Sequence, residues 1–82
     1  MQDVVDQLAE EGEFKNNGAS RSLLMHLTAV ERFEEKGDED KVVKHMEGFQ
    51  KLLDQQHKTA LISEDAYKLL KGNAEYMLQR WE

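Results

Sequence analysis

The clearest structural signal in this chain is the stretch Ser20–Phe33, SRSLLMHLTAVERF. Its apolar residues recur every three or four positions, which is the spacing of one face of an α-helix. These residues are Leu23, Leu24, Leu27, Val30 and Phe33. His26 falls on the same face, and a second stretch, VVKHMEGFQKLL at 42–53, repeats the arrangement around His45. The pattern predicts two amphipathic helices that bury their apolar faces and carry a histidine within each face.

Helix boundaries can be predicted from capping residues and glycines. Asp3, Asp38 and Ser63 are candidate N-caps, because their side-chain oxygens can accept from free amides of a first turn. Gly12 and Gly37 are candidate helix ends, where a left-handed residue is needed. The predicted helices are 3–11, 17–36 (beginning between 17 and 19), 39–56 and 64 to 80 or 81. The buried face predicted for the last helix consists of Ala66, Leu69, Leu70, Ala74, Met77 and Trp81.

Four helices with short connectors predict an all-α fold, a four-helix antiparallel bundle that can also be described as two packed αα-hairpins. No segment alternates apolar and polar residues for long enough to indicate a strand. A faint internal repeat, offset by about 47 residues, supports the hairpin description. It aligns Phe14 with Ile62, Ala19 with Ala66, and Leu23 with Leu70.

Composition excludes several classes of protein. Eighty-two residues make one domain with a limited core, and no apolar run approaches the roughly 20 residues that span a bilayer. The net charge of −6 argues against nucleic-acid binding, because phosphate binding needs a clustered basic surface. The chain has no cysteine, so disulfides and thiolate metal sites are excluded.

The histidines are the first candidates for chemistry. His26 lies eleven residues before Gly37 and His45 lies eight residues after it. In two antiparallel helices, this difference of three residues separates the side chains by about 4.5 Å along the helix axis, so their rings can approach each other. The pair could be a metal or proton-switch site, or two partly buried imidazoles that pack. We favour a structural pair, since no third ligand accompanies it at a fixed spacing, and we predict no metal and no cofactor. His57 is interpreted as a partner of a helix C-terminus.

No catalytic constellation stands out, and we predict that the chain is not an enzyme. Its acidic runs, EEGE, FEEKGDED and SEDA, coincide with predicted helix ends, where carboxylates stabilise a first turn or lie in solvent. Tyr67, Tyr76 and Trp81 on the last helix are candidate contact aromatics. A carbohydrate platform would require exposed coplanar rings, whereas helical spacing favours the edge of the core or a protein contact.

The order of these motifs resembles the FIMAH domain, a small helical module near the C-terminus of many secreted bacterial enzymes. The resemblance runs from about Val4 to Leu78. It rests on GEF at 12–14, SLLMHL at 22–27, the Gly37 turn, HMEGF at 45–49 and LIS at 61–63 followed by Ala66. The departures are Phe14 for Ile, Met46 for Leu, Gly48 for Ala and Ala60 for Gly.

The resemblance implies a non-catalytic accessory module rather than an enzyme. Residues 1–82 would be one helical domain excised from a larger secreted bacterial protein, extracellular or associated with the cell wall, whose signal peptide lies outside this sequence. The family's members resemble modules attached to glycosidases, proteases or phosphoesterases, so the parent protein could be hydrolytic. Its partner would be a cell-wall polymer, a polysaccharide or a neighbouring domain of the parent protein. The alternative is a stand-alone cytosolic domain whose amphipathic helices bind another protein.

Overall fold

Four helices make up the protein in the computed structural model, which describes residues 1–81. They are α1 (Gln2–Glu10), α2 (Asn17–Lys36), α3 (Glu39–Lys58) and α4 (Glu64–Trp81). Helix α2 packs against α1 and α3, and α4 packs against the same two helices, so α2 and α4 lie diagonally across an antiparallel bundle. The predicted all-α four-helix fold is therefore confirmed. Within residues 1–81, no helix has the length and apolarity needed to cross a membrane.

The starts of three helices are capped by side chains, as their sequences favour. Asp38 Oδ1 accepts from the Lys41 amide at 3.3 Å, and Ser63 Oγ accepts from the Ala66 amide at 3.1 Å. Both caps were predicted, and Asn16 caps α2 in the same way. Each cap satisfies one amide that would otherwise lack a partner in the first turn.

The predicted N-cap of the first helix is wrong. Helix α1 begins at Gln2, and Met1 occupies the cap position without a side-chain hydrogen bond. The Met1 carbonyl accepts from the Val5 amide at 3.1 Å, so the helix already starts at the first residues of the chain. Asp3 lies inside the first turn, where its carboxylate still interacts favourably with the helix dipole.

Three helix ends share one backbone geometry. At Gly12 and Gly37 the φ angles are 78° and 70°, which glycine adopts at little cost. Ala60 takes the same left-handed conformation at the end of α3, with φ 60°. Around each of the three residues, two backbone hydrogen bonds close the last turn in a Schellman motif. Because this motif forms at Ala60, α3 continues to Lys58, two residues beyond the predicted end.

The two inter-helix loops at one end of the bundle are joined by backbone hydrogen bonds. Phe14 and Ile62 form an isolated antiparallel bridge. The Lys15 amide donates to the Leu61 carbonyl at 2.8 Å, and the Ser63 amide donates to a carbonyl of the other loop at 2.9 Å. The residues that the internal repeat aligns therefore pair with each other, and the bridge holds the α1–α2 hairpin against the α3–α4 hairpin.

The core runs between all four helices. Its largest fully buried side chains are Phe49, Leu23, Met46, Leu53, Leu70, Val5, Val30 and Val42. The prediction that Leu69 belongs to the buried face of the last helix is wrong, because its side chain is 50% exposed. Helix α4 instead buries Ala66, Leu70, Ala74 and Leu78, a strict four-residue spacing that turns Leu69 outward. Met77 and Trp81 pack at the edge of this core.

One polar side chain lies inside the core. Gln56 of α3 is buried, and its Nε2 donates to the Ala19 carbonyl of α2 at 2.9 Å. Its Oε1 is buried without a hydrogen-bond partner among the described residues. This bond adds a polar link between the two hairpins close to the Phe14–Ile62 bridge.

Candidate functional site

The interface between α2 and α3 brings the two predicted histidines together. The His26 and His45 ring centroids lie 6.2 Å apart with the planes tilted by 56°, and both side chains are half-buried. His45 also stacks on Phe33, with centroids 5.3 Å apart and planes 17° from parallel. Imidazole and phenyl rings thus fill the outer edge of this helix pair, and the proposed structural role of the pair stays a prediction.

Gly48 makes room for one of these rings. A Cβ atom at Gly48 would lie 3.1 Å from His26 Cε1, which is tighter than ordinary van der Waals contact. The imidazole of α2 therefore sits directly over the backbone of α3. Across residues 1–81, no group of three or more His, Asp or Glu side chains is placed to hold a metal ion.

A second polar cluster lies between α3 and α4. His57 stacks on Tyr67, with centroids 3.9 Å apart and planes 10° from parallel, and its Nε2 contacts the Glu64 carboxylate. Asp54 Oδ1 accepts from the Tyr67 hydroxyl at 2.7 Å and from Lys71 Nζ at 2.8 Å. His57 lies in the last turn of α3, as its predicted role at a helix C-terminus requires, but it also joins α3 to α4.

The hydrogen bonds of this cluster shift the pKa values of Asp54, Glu64 and Lys71 in the directions that favour their ionised forms. Hydrogen bonds from Lys71 and Tyr67 lower the pKa of Asp54 below its usual 3.8, and the bond to Asp54 raises the pKa of Lys71 above 10.5. The bond with His57 lowers the pKa of Glu64. These groups lie at the surface and hydrogen-bond to one another, so the cluster holds α3 against α4 rather than presenting a free acid or base.

The three candidate contact aromatics of α4 do not form one platform. Tyr67 is held in the cluster with His57, and Trp81 packs at the edge of the core beside the start of α3. Tyr76 is 64% exposed. Nine residues separate Tyr67 from Tyr76, which is about half a turn of rotation around the helix. The rings therefore point in different directions, unlike the coplanar set that stacks on a sugar.

Exposed apolar side chains define two other surfaces. Met25 is 74% exposed on the outside of α2, and Leu69 and Tyr76 are exposed on the outside of α4. Because α2 and α4 are diagonal, these two surfaces face opposite ways. Met25 is not among the contact residues predicted from the sequence. The signal was present, since LLM at 23–25 widens the apolar arc of α2 beyond the part that one core can bury.

The fold and these surfaces define a small helical module whose polar clusters hold the helices together. A family model described as FIMAH domain matches residues 1–79. The chain therefore belongs to the FIMAH domain family. No curated protein and no solved structure matches it significantly.

Proposed function

We propose that this chain is a non-catalytic accessory module of a larger secreted bacterial protein, extracellular or associated with the cell wall. The observation that carries the proposal is the extent of the family match, residues 1–79 of 82. The match covers nearly the whole chain, and the resemblance links this family to accessory modules. The activity of the parent protein would reside in other domains.

The surface favours contact with protein over stacking on carbohydrate. The large apolar side chains exposed among residues 1–81 are Met25, Leu69 and Tyr76, on the outer faces of two helices. A polysaccharide site would need flat aromatic faces side by side, and of the three α4 aromatics only Tyr76 is largely exposed. We therefore rank a neighbouring domain of the parent protein above a cell-wall polymer or a polysaccharide as the partner.

The same exposed side chains also support the second candidate, a stand-alone cytosolic domain that binds another protein through a helix. The two candidates predict different lengths for the complete gene and different cellular locations for its product. An upstream catalytic domain, together with recovery of the native protein from the culture medium, would support the accessory module. A short gene whose product stays in the cell would overturn it in favour of the alternative.

The test of the contact itself is a screen by proton–nitrogen NMR correlation spectra. The labelled domain is titrated separately with the rest of its parent protein, peptidoglycan fragments, plant and bacterial polysaccharides, calcium and zinc. We expect shifts clustered on one helix face with the parent protein. Shifts with a polysaccharide alone would replace the protein partner with a carbohydrate partner, and no shifts with any probe would overturn the binding role.

A further inference from the structure

The outward face of α2 carries a charge opposite to that of the whole protein. At about 100° of rotation per residue, the third of the helix surface centred on Met25 includes Arg21, Arg32 and Lys36. It includes no carboxylate, although the chain has 17 acidic and 11 basic residues. Glu35 lies just outside this arc. The excess of acid is therefore located elsewhere, and this face is locally basic.

Apolar groups lie between the two arginines. A shallow groove on this face is lined by Arg21, Leu24, Met25, Thr28, Ala29 and Arg32. Met25, in the middle, is 74% exposed, while Leu24 is half-buried against the core. Neither arginine lies within 4.0 Å of a carboxylate in the described part of the chain, 1–81. We call this set the α2 outer face.

We propose that the α2 outer face is the docking surface of the module and that its partner is an acidic amphipathic helix. The inference rests on the proposed function, because it names the surface and the chemistry of the protein contact. The two guanidinium groups are eleven residues apart, about 16 Å along the axis. A partner helix with carboxylates at a matching separation would pair both arginines and cover Met25 with its apolar stripe.

Charge complementarity argues against a symmetric dimer in which the α2 outer faces of two copies meet. In an antiparallel pair of α2 helices centred on this face, Arg21 would meet Arg32 of the other copy. In a parallel pair, each arginine would meet its own equivalent. Both arrangements place like charges in contact, which is unfavourable.

The apolar centre argues against a polyanionic polymer. A polymer of phosphate or sulfate groups would need cations alone, and it would leave Met25 in contact with water or charge. A helix covers both the apolar and the basic groups of the face. Sensitivity of binding to Met25 therefore separates the two partners.

The experiment uses two synthetic helical peptides of the same length and apolar stripe. One carries glutamates about eleven residues apart, and the other carries lysines at those positions. Binding to the 82-residue protein is measured by calorimetry, with dextran sulfate as a polyanion control. We expect the acidic peptide to bind and the basic peptide to bind at least about tenfold more weakly, a difference that shrinks with added salt.

Variants connect the binding to this face. We expect R21E/R32E to weaken binding of the acidic peptide at least about tenfold, and R21Q/R32Q and Met25→Gln to weaken it by smaller factors. The matched control is K51E/R80E, which changes the net charge equally at exposed residues of α3 and α4. Circular dichroism confirms that each variant is helical, and the glutamine variants keep the test valid if the glutamate variant does not fold.

Several outcomes would overturn the inference. Equal binding of both peptides, equal losses in R21E/R32E and K51E/R80E, or binding of dextran sulfate that is insensitive to Met25→Gln would each contradict it. Sedimentation of the free protein as a dimer that Met25→Gln dissociates would assign the face to self-association.

The outcome also separates this inference from the proposed function. If the module contacts its parent protein and R21E/R32E leaves that contact unchanged, the α2 outer face is excluded and the accessory role stands. If the module contacts no part of its parent protein, the accessory role fails whatever the peptides show.

Discussion

Phe14 and Ile62 lie 48 positions apart in the sequence and form the only isolated β-bridge of residues 1–81, which joins the two hairpin loops. Both side chains are buried, and each lies two residues beyond a left-handed residue that ends a helix. The left-handed residue is Gly12 in the first hairpin and Ala60 in the second. The two halves of the fold thus use one turn geometry with a different residue at its strained position.

Replacement of Ala60 by glycine is expected to stabilise the protein by about 1 kcal/mol, because a left-handed alanine costs roughly 1–2 kcal/mol that glycine avoids. The free energy of unfolding in urea measures the change. Ala9→Gly within α1 is the matched control, and it should lose about 1 kcal/mol. A loss of stability in both variants would contradict the assignment of strain to Ala60.

The two methionines Met46 and Met25 are expected to respond differently to truncation. Met46 is fully buried, so Met46→Ala should cost about 2–5 kcal/mol through lost burial and a cavity. Met25 is 74% exposed, so Met25→Ala should change stability by less than about 0.5 kcal/mol.

Urea unfolding of both variants tests this contrast, with Met46→Leu as a variant that keeps the core filled and costs less than about 1.5 kcal/mol. A large cost at Met25 would mean that the outside of α2 serves the fold, and it would remove the reason to regard that side chain as free for a partner.

Gly48 and His26 are expected to be energetically coupled. Gly48→Ala should gain about 1 kcal/mol of helix propensity when His26 is also replaced by alanine. In the presence of His26 the gain should be smaller, because the new Cβ would lie 3.1 Å from the ring. A double-mutant cycle of unfolding free energies measures the coupling, and additive effects would show that the ring moves away without cost.

Asp54 is expected to make stability depend on acid pH. Its pKa is lowered in the folded state, mainly by the hydrogen bond from Lys71, so its contribution is complete above the usual value of 3.8. The contribution is lost as the pH falls through the folded pKa. Because the carboxylate is 51% exposed, the effect should stay below about 1 kcal/mol.

Unfolding of Asp54→Asn at neutral pH and at a pH below the folded pKa of Asp54 checks this expectation, with Asp6→Asn on α1 as the control for the change of charge. Asp54→Asn should destabilise at neutral pH and much less in acid. An equal loss at both pH values would place the effect in packing rather than in ionisation.

The helices and most of the core could be predicted because local signals agree with the fold. Asp38, Ser63 and the two helix-ending glycines act where the sequence places them, and the register counted from Gly37 brings His26 near His45. The position of Asp3 within α1 could not be predicted, since an aspartate near the start of a helix is equally typical of the N-cap and of the first turn.

The contact surfaces could not be predicted because they depend on how the helices are arranged in space. Leu69 adjoins Leu70 in sequence, and only the rotation of α4 against its neighbours decides which of the two is buried. The bond between Tyr67 and Asp54 joins two helices, and no local spacing encodes it. The run LLM at 23–25 is wider than one core can bury, and the structure shows that Met25 is the side chain left exposed.

The docking role of the α2 outer face is best tested by a map of NMR shift changes in the labelled domain on addition of the rest of its parent protein. We expect changes centred on the α2 outer face, at Arg21, Met25 and Arg32, with little change at Leu69 and Tyr76. Changes centred on Leu69 and Tyr76 would assign the contact to α4, and the absence of any change would contradict a binding role within the parent protein.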